Sequence, residues 1–460
     1  MNYSASNVEL WYPIIQTGII AGLIVLANIL RRKIAFIRNS LMPTAVIAGF
    51  ALLLLRTFDV VTMSADFLEA LTYHMLALGF IALTLRTEEK QEGEEKRLGS
   101  KSGALIVSTY IVQGIIGLVI SLFFAYTLKP DFFKAAGILL PMAYGQGPGQ
   151  ANNVGTSYEA LGMAGGQTFG LSLAAVGFLC ACTVGVIYLN ILNRKNKIAR
   201  IKNKDELSGS VTLDVFQDEN EIPIAESIDK LSVQAAIVAV LYLLTFLLTA
   251  GIVALLEKFA PGLAKTLSPL LWGFNFIVGS VVAMGCRSLF NGLKQAKVMN
   301  HQYLNNYLLN RLSGLAFDIM IVAGIASIDI GELKGNIVPF LVMAVMGGVA
   351  TLIYLKFMCK RLYKGYEHEA FFSMFGMLTG TLSSGVLLLR EVDPDMKTPA
   401  SNNLITGSSF AIIFGAPMLL VISFAAQSEA SAWASLGILI LYLAALLLFI
   451  AKVGKRRNKK

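Results

Sequence analysis

The chain has 460 residues, of which 55% are AVILMFWYC and 15% are charged, with 38 Lys and Arg against 29 Asp and Glu for a formal charge of +9. Soluble domains are about a quarter charged, so this composition excludes an ordinary soluble enzyme and a disordered chain. Its four cysteines are too few for a disulfide scaffold.

Apolar runs of about 20 residues, each enough for roughly 30 Å of hydrocarbon, recur along the chain and predict an all-α polytopic membrane protein. The first, Trp11 to Leu30, is followed by Arg31, Arg32 and Lys33. A signal peptide carries its charge before the apolar region, so this helix is expected to be retained, with the N-terminus outside. Further spans are expected at 41–56, 67–85, 104–127 and 167–192. A polar stretch at 193–231, basic and then acidic, reads as a cytoplasmic linker. Spans resume at 232–256, 269–290, 313–330, 336–357, 403–427 and 431–452, making about eleven, and a basic tail ends the chain inside. Residues 291–312 read as an amphipathic segment along the inner surface.

Threaded alternately through a bilayer, these spans leave outside only Lys129, Lys134, Lys258, Lys265 and Lys334, with Arg56 at an outer helix end. The other basic residues lie inside, as the positive-inside rule requires. The excess positive charge is therefore topological, and no nucleic-acid partner is expected.

Two stretches are too broken to span. Residues 132–163 have an apolar half from Phe132 to Tyr144, a tip from Gly145 to Gln150 and a second half to Met163. Each half covers about 18 Å at 1.5 Å per residue. Residues 370–391 repeat the pattern around Thr379 to Gly385. Both read as re-entrant hairpins, entering from opposite faces. Two inverted five-helix repeats follow, 1–192 and 232–427, each with a hairpin before its last span, and 428–460 adds one extra C-terminal helix.

Non-helical backbone inside a membrane is tolerated where it is buried in protein or lines a wet cavity. The tips therefore supply the candidate solute-binding residues: Gln146, Gly147, Gly149, Gln150, Asn152 and Asn153 from the first, and Thr379, Thr381, Ser383 and Ser384 from the second. Small residues that merely allow close helix packing are the alternative reading. Arg390, two helical turns after Ser383, is a candidate carboxylate partner or a snorkelling residue near Glu391, Asp393 and Asp395. Asp318 is an acid within an expected span, so it is a candidate cation site or a partner of Arg311. Glu159 shares a face with Asn152 and Thr156 and is a weaker candidate.

His74 and Asn275 read as single interhelical hydrogen-bonding residues. The pair His368-Glu369 fails as a zinc-protease motif because Phe372 stands where the second histidine belongs. The chain has no phosphate-binding P-loop sequence, few histidines and few intramembrane acids, so no enzyme and no bound cofactor are expected. A passive channel built on the glycine-rich tips remains open as an alternative.

The run Gly145-Gln146-Gly147-Pro148-Gly149, the span Phe317-Asp318-Ile319-Met320-Ile321 and the tip Gly380-Thr381-Leu382-Ser383-Ser384-Gly385 resemble the bacterial sodium/glutamate symporters, with the order of elements agreeing over 10–427. Gln146 stands where that family's loop carries a histidine, and the segment Arg390 to Pro399 follows the second tip as an insertion. The resemblance implies sodium-coupled symport of glutamate or a similar small carboxylate across a bacterial inner membrane, by an elevator-like movement in a homodimer. On that reading Asp318, Asn153 and Thr381 are the candidate sodium ligands. A proton-coupled transporter, antiporter or exporter of another organic anion is the alternative.

The topology is directly testable. A cysteine introduced at Lys265 should react with an impermeant maleimide applied outside intact cells, and one introduced at Lys204 only after permeabilisation; the opposite pattern would invert every span.

Overall fold

The computed structural model describes residues 3–39, 41–86, 94–195, 224–273, 275–296, 298, 304–393 and 398–455. The expected linker therefore lies mostly outside the described residues, as do parts of the 291–312 segment and the end of the tail. The described residues form helices joined by turns and short loops, without a strand. In chain order the helices are α1 Val8–Lys33, α2 Ala35–Asn39, α3 Thr44–Thr57, α4 Ala65–Leu85 and α5 Glu94–Tyr126. A 3-10 turn at Ala136–Ile138 and a π-helical turn at Pro141–Gly145 lead into α6 Pro148–Glu159 and α7 Gly166–Arg194. Then come α8 Ile224–Phe259, α9 Pro261–Gly273, α10 Asn275–Gln295, α11 Asn306–Ala326, α12 Ile330–Leu333 and α13 Ile337–Leu362. The last are α14 Glu367–Thr379, α15 Leu382–Arg390, α16 Ala400–Ala425 and α17 Glu429–Lys455.

Among the described residues, 10 helices are long and apolar enough to cross a membrane. Exposed side chains such as Leu420, Leu441 and Leu247 fit hydrocarbon better than water. The expected span at 41–56 is the exception. It forms α3, which is 14 residues long, or about 21 Å at 1.5 Å per residue, the shortest of the expected spans. Pro43 opens this helix, and Leu41 and Asp59, with φ of 56° and 55°, turn the chain sharply on either side of it.

Contacts divide the chain into two compact units, each drawn from both sides of the linker. One unit comprises Met1–Met63, Gln91–Ser210 and Gly324–Lys460. Its centre is α5, buried along Ala104 to Val107 and at Ile111 and Leu118, with α13, α16 and α17 packed around it. The turn at 136–138 meets α5 through Gly117 and Gly137, whose backbones touch so closely that a β-carbon on either would overlap the other. At the end of α5, Tyr126 and Lys134 both bond Glu429 at the start of α17, the lysine at 2.6 Å.

The other unit comprises Ser64–Lys90 and Val211–Ala323. Ser64 caps α4 by accepting from the Phe67 amide at 3.3 Å. The core of this unit joins Ile81 and Leu85 of α4 to Val238 and Leu241 of α8, Ala283 of α10 and Leu309 of α11. His74 meets the Tyr242 hydroxyl at 2.6 Å, and the Asn275 amide donates to the same hydroxyl at 3.3 Å. Both are interhelical hydrogen bonds.

Gly117→Ala should lower stability by about 1–3 kcal/mol, the usual cost of overpacking a tight contact. Thermal unfolding in detergent measures it, and an unchanged midpoint would mean that α5 and the 136–138 turn have room to part.

Candidate functional site

Two helices of the first unit are interrupted, and the interruptions touch. The first is at Gln146–Gly147, between the π-helical turn and α6. Gly147 has φ of 85° and ψ of −175°, a backbone that an L side chain resists. Pro148 then starts α6 in the first helical position, where its missing N–H costs nothing. The second interruption is at Gly380–Thr381, between α14 and α15. A β-carbon on Gly147 would lie 3.5 Å from the Thr381 methyl and 3.7 Å from the Gly380 carbonyl. Each break spans two residues, narrower than the tips expected at 145–150 and 379–385.

The narrowing reassigns several residues. Gly149, Gln150, Asn152 and Asn153 sit inside α6 and are buried. Thr379 is the last residue of α14, and its hydroxyl donates to the Phe375 carbonyl at 2.7 Å within the same helix. Gly147 is buried and Gln146 half-buried. Ser383 lies in the first turn of α15 with Ser384, which is buried.

Neither α6 nor α15 has a side-chain cap at its N-terminus. The first turn of a helix has backbone N–H groups without intrahelical partners, and its partial positive charge favours an anion. Two such ends start from the paired breaks. Around them stand buried polar atoms with no hydrogen-bond partner among the described residues: both amide atoms of Gln150, the hydroxyls of Thr381 and Ser384, and Oε1 of Gln113. Gln150 is 1% exposed. A buried amide without partners is disfavoured by about 1–3 kcal/mol, so their concentration at one place calls for a ligand or water. Other such atoms, at Thr249 and Ser435 for example, lie away from the breaks in sequence and helix.

The surrounding helices hold the breaks in place. Gln113 of α5 donates from Nε2 to Thr351 of α13 at 2.9 Å and to the Leu378 carbonyl, two residues before the second break, at 2.8 Å. Its free Oε1 would lie 3.1 Å from a β-carbon on Gly145, beside the first break. One side chain thus bridges both hairpins. Gly177 of α7 lies against the Thr379 carbonyl. The Tyr144 hydroxyl donates to the Ala344 carbonyl of α13 at 2.7 Å. Gln167 of α7 donates to Asn152 Oδ1 at 2.8 Å, which occupies that amide oxygen, and the Gln167 amide donates to Glu159 at 3.0 Å. Glu159 therefore ties the end of α6 to the start of α7.

Arg390 is the exposed last residue of α15, and Asp393 accepts from Thr398 at 2.8 Å rather than from it. Asp318 belongs to the other unit, on α11, exposed and without hydrogen bond or ion pair among the described residues. Arg311 lies over the Tyr307 ring at 5.1 Å instead of pairing with it. Gln113 was not among the sequence candidates, because one glutamine within the apolar run 104–127 has no spacing or motif to mark it.

The long apolar helices define the class: this is a multi-pass α-helical membrane protein. No family model matches the chain, and no curated protein matches its sequence.

Gln150→Met removes a partnerless buried amide at nearly constant volume, so the ligand-free protein should unfold at the same or a higher temperature. A loss of more than about 2 kcal/mol would show that the amide makes structural bonds.

Proposed function

We propose that the protein is a secondary active transporter that carries a small carboxylate, glutamate first among the candidates, together with sodium across the cytoplasmic membrane of a bacterium. The observation that supports this most is the pairing of two interrupted helices, with two uncapped N-termini and unpartnered Gln150, Thr381 and Ser384 beside them. Broken helices meeting inside a membrane bundle are how solute sites of such transporters are built, with N-termini toward the anion and freed carbonyls toward the cation.

On this reading the carboxylate is held by the first-turn amides of α6 and α15 and by Gln150 and Ser384. Thr381 and the Asn153 region serve the cation at the breaks, and Asp318 of the other unit is a separate candidate. Arg390, at the exposed end of α15, attracts the anion rather than holding it at the breaks. The hairpins act as re-entrant loops of two inverted repeats. Both breaks belong to one compact unit, which suits an elevator-type movement carried out in each protomer of a homodimer.

In proteoliposomes, uptake of labelled glutamate should follow an inward sodium gradient and ignore a proton gradient imposed alone. Gln150→Met should cut that uptake at least tenfold while leaving the fold intact, and Asp318→Asn should raise the sodium concentration for half-maximal uptake. Uptake that follows protons and is indifferent to sodium would reject the coupling. Full activity in Gln150→Met would reject the site.

A further inference from the structure

A cavity of about 240 Å³ lies apart from the two breaks, between the last turns of α7 and α13 and the first turns of α14, all in the first unit. Three lysines line it. Lys356 and Lys360, four residues apart, share one face of α13, and Lys195 follows the end of α7. His368 lines it as well, and the one carboxylate there, Glu367, accepts the Gly365 amide at 3.2 Å.

The remaining wall is apolar and aromatic. Phe371 is 2% exposed, the Tyr188 ring meets it edge-on at 5.0 Å, and the Lys356 ammonium lies over the Tyr188 ring at 5.5 Å. Such a cation–π contact holds the ammonium at the cavity while leaving its N–H groups to an anion. Both α7 and the α12–α13 segment are long enough to cross a membrane, and the cavity sits where they end. At that depth polar headgroups and hydrocarbon meet. The charge pattern of the sequence assigns this end to the cytoplasmic leaflet.

We propose that this cavity binds the phosphate group of an anionic phospholipid, with the lysines on the phosphate and the Tyr188–Phe371 wall against the glycerol and the first acyl carbons. Three lysines against one carboxylate suit a phosphodiester anion, and basic pockets between membrane helices are where such headgroups dock. Inorganic phosphate satisfies the lysines but leaves the aromatic wall bare, so the lipid is the better occupant. The site stands independently of the transport reading. It also has a route to the breaks: Phe371 stacks on Phe375 at 5.4 Å, one turn along α14, and Thr379 ends that helix a turn later at the second break. A lipid held here steadies the helix that carries the break.

The test uses the full-length protein, washed free of lipid in detergent, and follows its thermal midpoint during titration with short-chain phosphatidylglycerol, short-chain phosphatidylcholine or inorganic phosphate. Phosphatidylglycerol should raise the midpoint by several degrees, and the other two by a small fraction of that. Lys356→Gln combined with Lys360→Gln should lose the shift, with binding at least tenfold weaker, while Lys452→Gln on α17 should keep it. Equal shifts with inorganic phosphate would overturn the lipid as occupant. Equal shifts with phosphatidylcholine, or a shift unchanged in the double variant, would overturn the site. Should the double variant fail to fold, Lys195→Gln alone provides the same comparison, and native mass spectrometry of retained lipid reads it without heating.

Discussion

A helix interrupted in hydrocarbon exposes backbone amides and carbonyls that have no water to bond, and each unsatisfied group costs several kcal/mol. The rest of the first unit is arranged around that constraint. It does not remove the breaks. It pairs them, Gly147 against Gly380 and Thr381, and packs α5, α7 and α13 beside them. The freed groups then lie beside a few buried polar side chains, Gln150, Thr381 and Ser384 among them.

Close approach and bridging hold this arrangement. Gly117 and Gly137 let the chain before the first break lie directly on α5, and Gly177 lets α7 reach the carbonyl of Thr379. Gln113 then ties α5 to α13 and to the second hairpin while its own carbonyl oxygen stays free beside the first. Its two amide ends do different work. The donor end makes structural bonds, and the acceptor end has no partner among the described residues.

Much of this was legible in the sequence, because the physics involved is local. Apolar run length marked the long helices, and the two breaks fall within the expected tips 145–150 and 379–385. Span 41–56 forms α3, a 14-residue helix between turns at Leu41 and Asp59, which hydropathy alone does not mark. The tips were drawn too wide because Gly149 and Gln150 read as loop, whereas both lie inside α6 and are buried. Gln113 left no mark, since its role arises from contacts with residues 238 and 265 positions away. The lysine cavity was hidden for the same reason: Lys195, Lys356 and Lys360 each look like ordinary charge at a helix end until the fold gathers them.

The central claim, that the paired breaks form the solute site, is tested most directly by protection from chemical labelling. Gln146 borders the first break and is half-buried, so a cysteine placed there should react slowly with a small thiosulfonate reagent. Sodium with the transported solute should slow that reaction at least several-fold, and sodium with an unrelated neutral solute should not. A labelling rate indifferent to every solute that the protein takes up would place the site elsewhere.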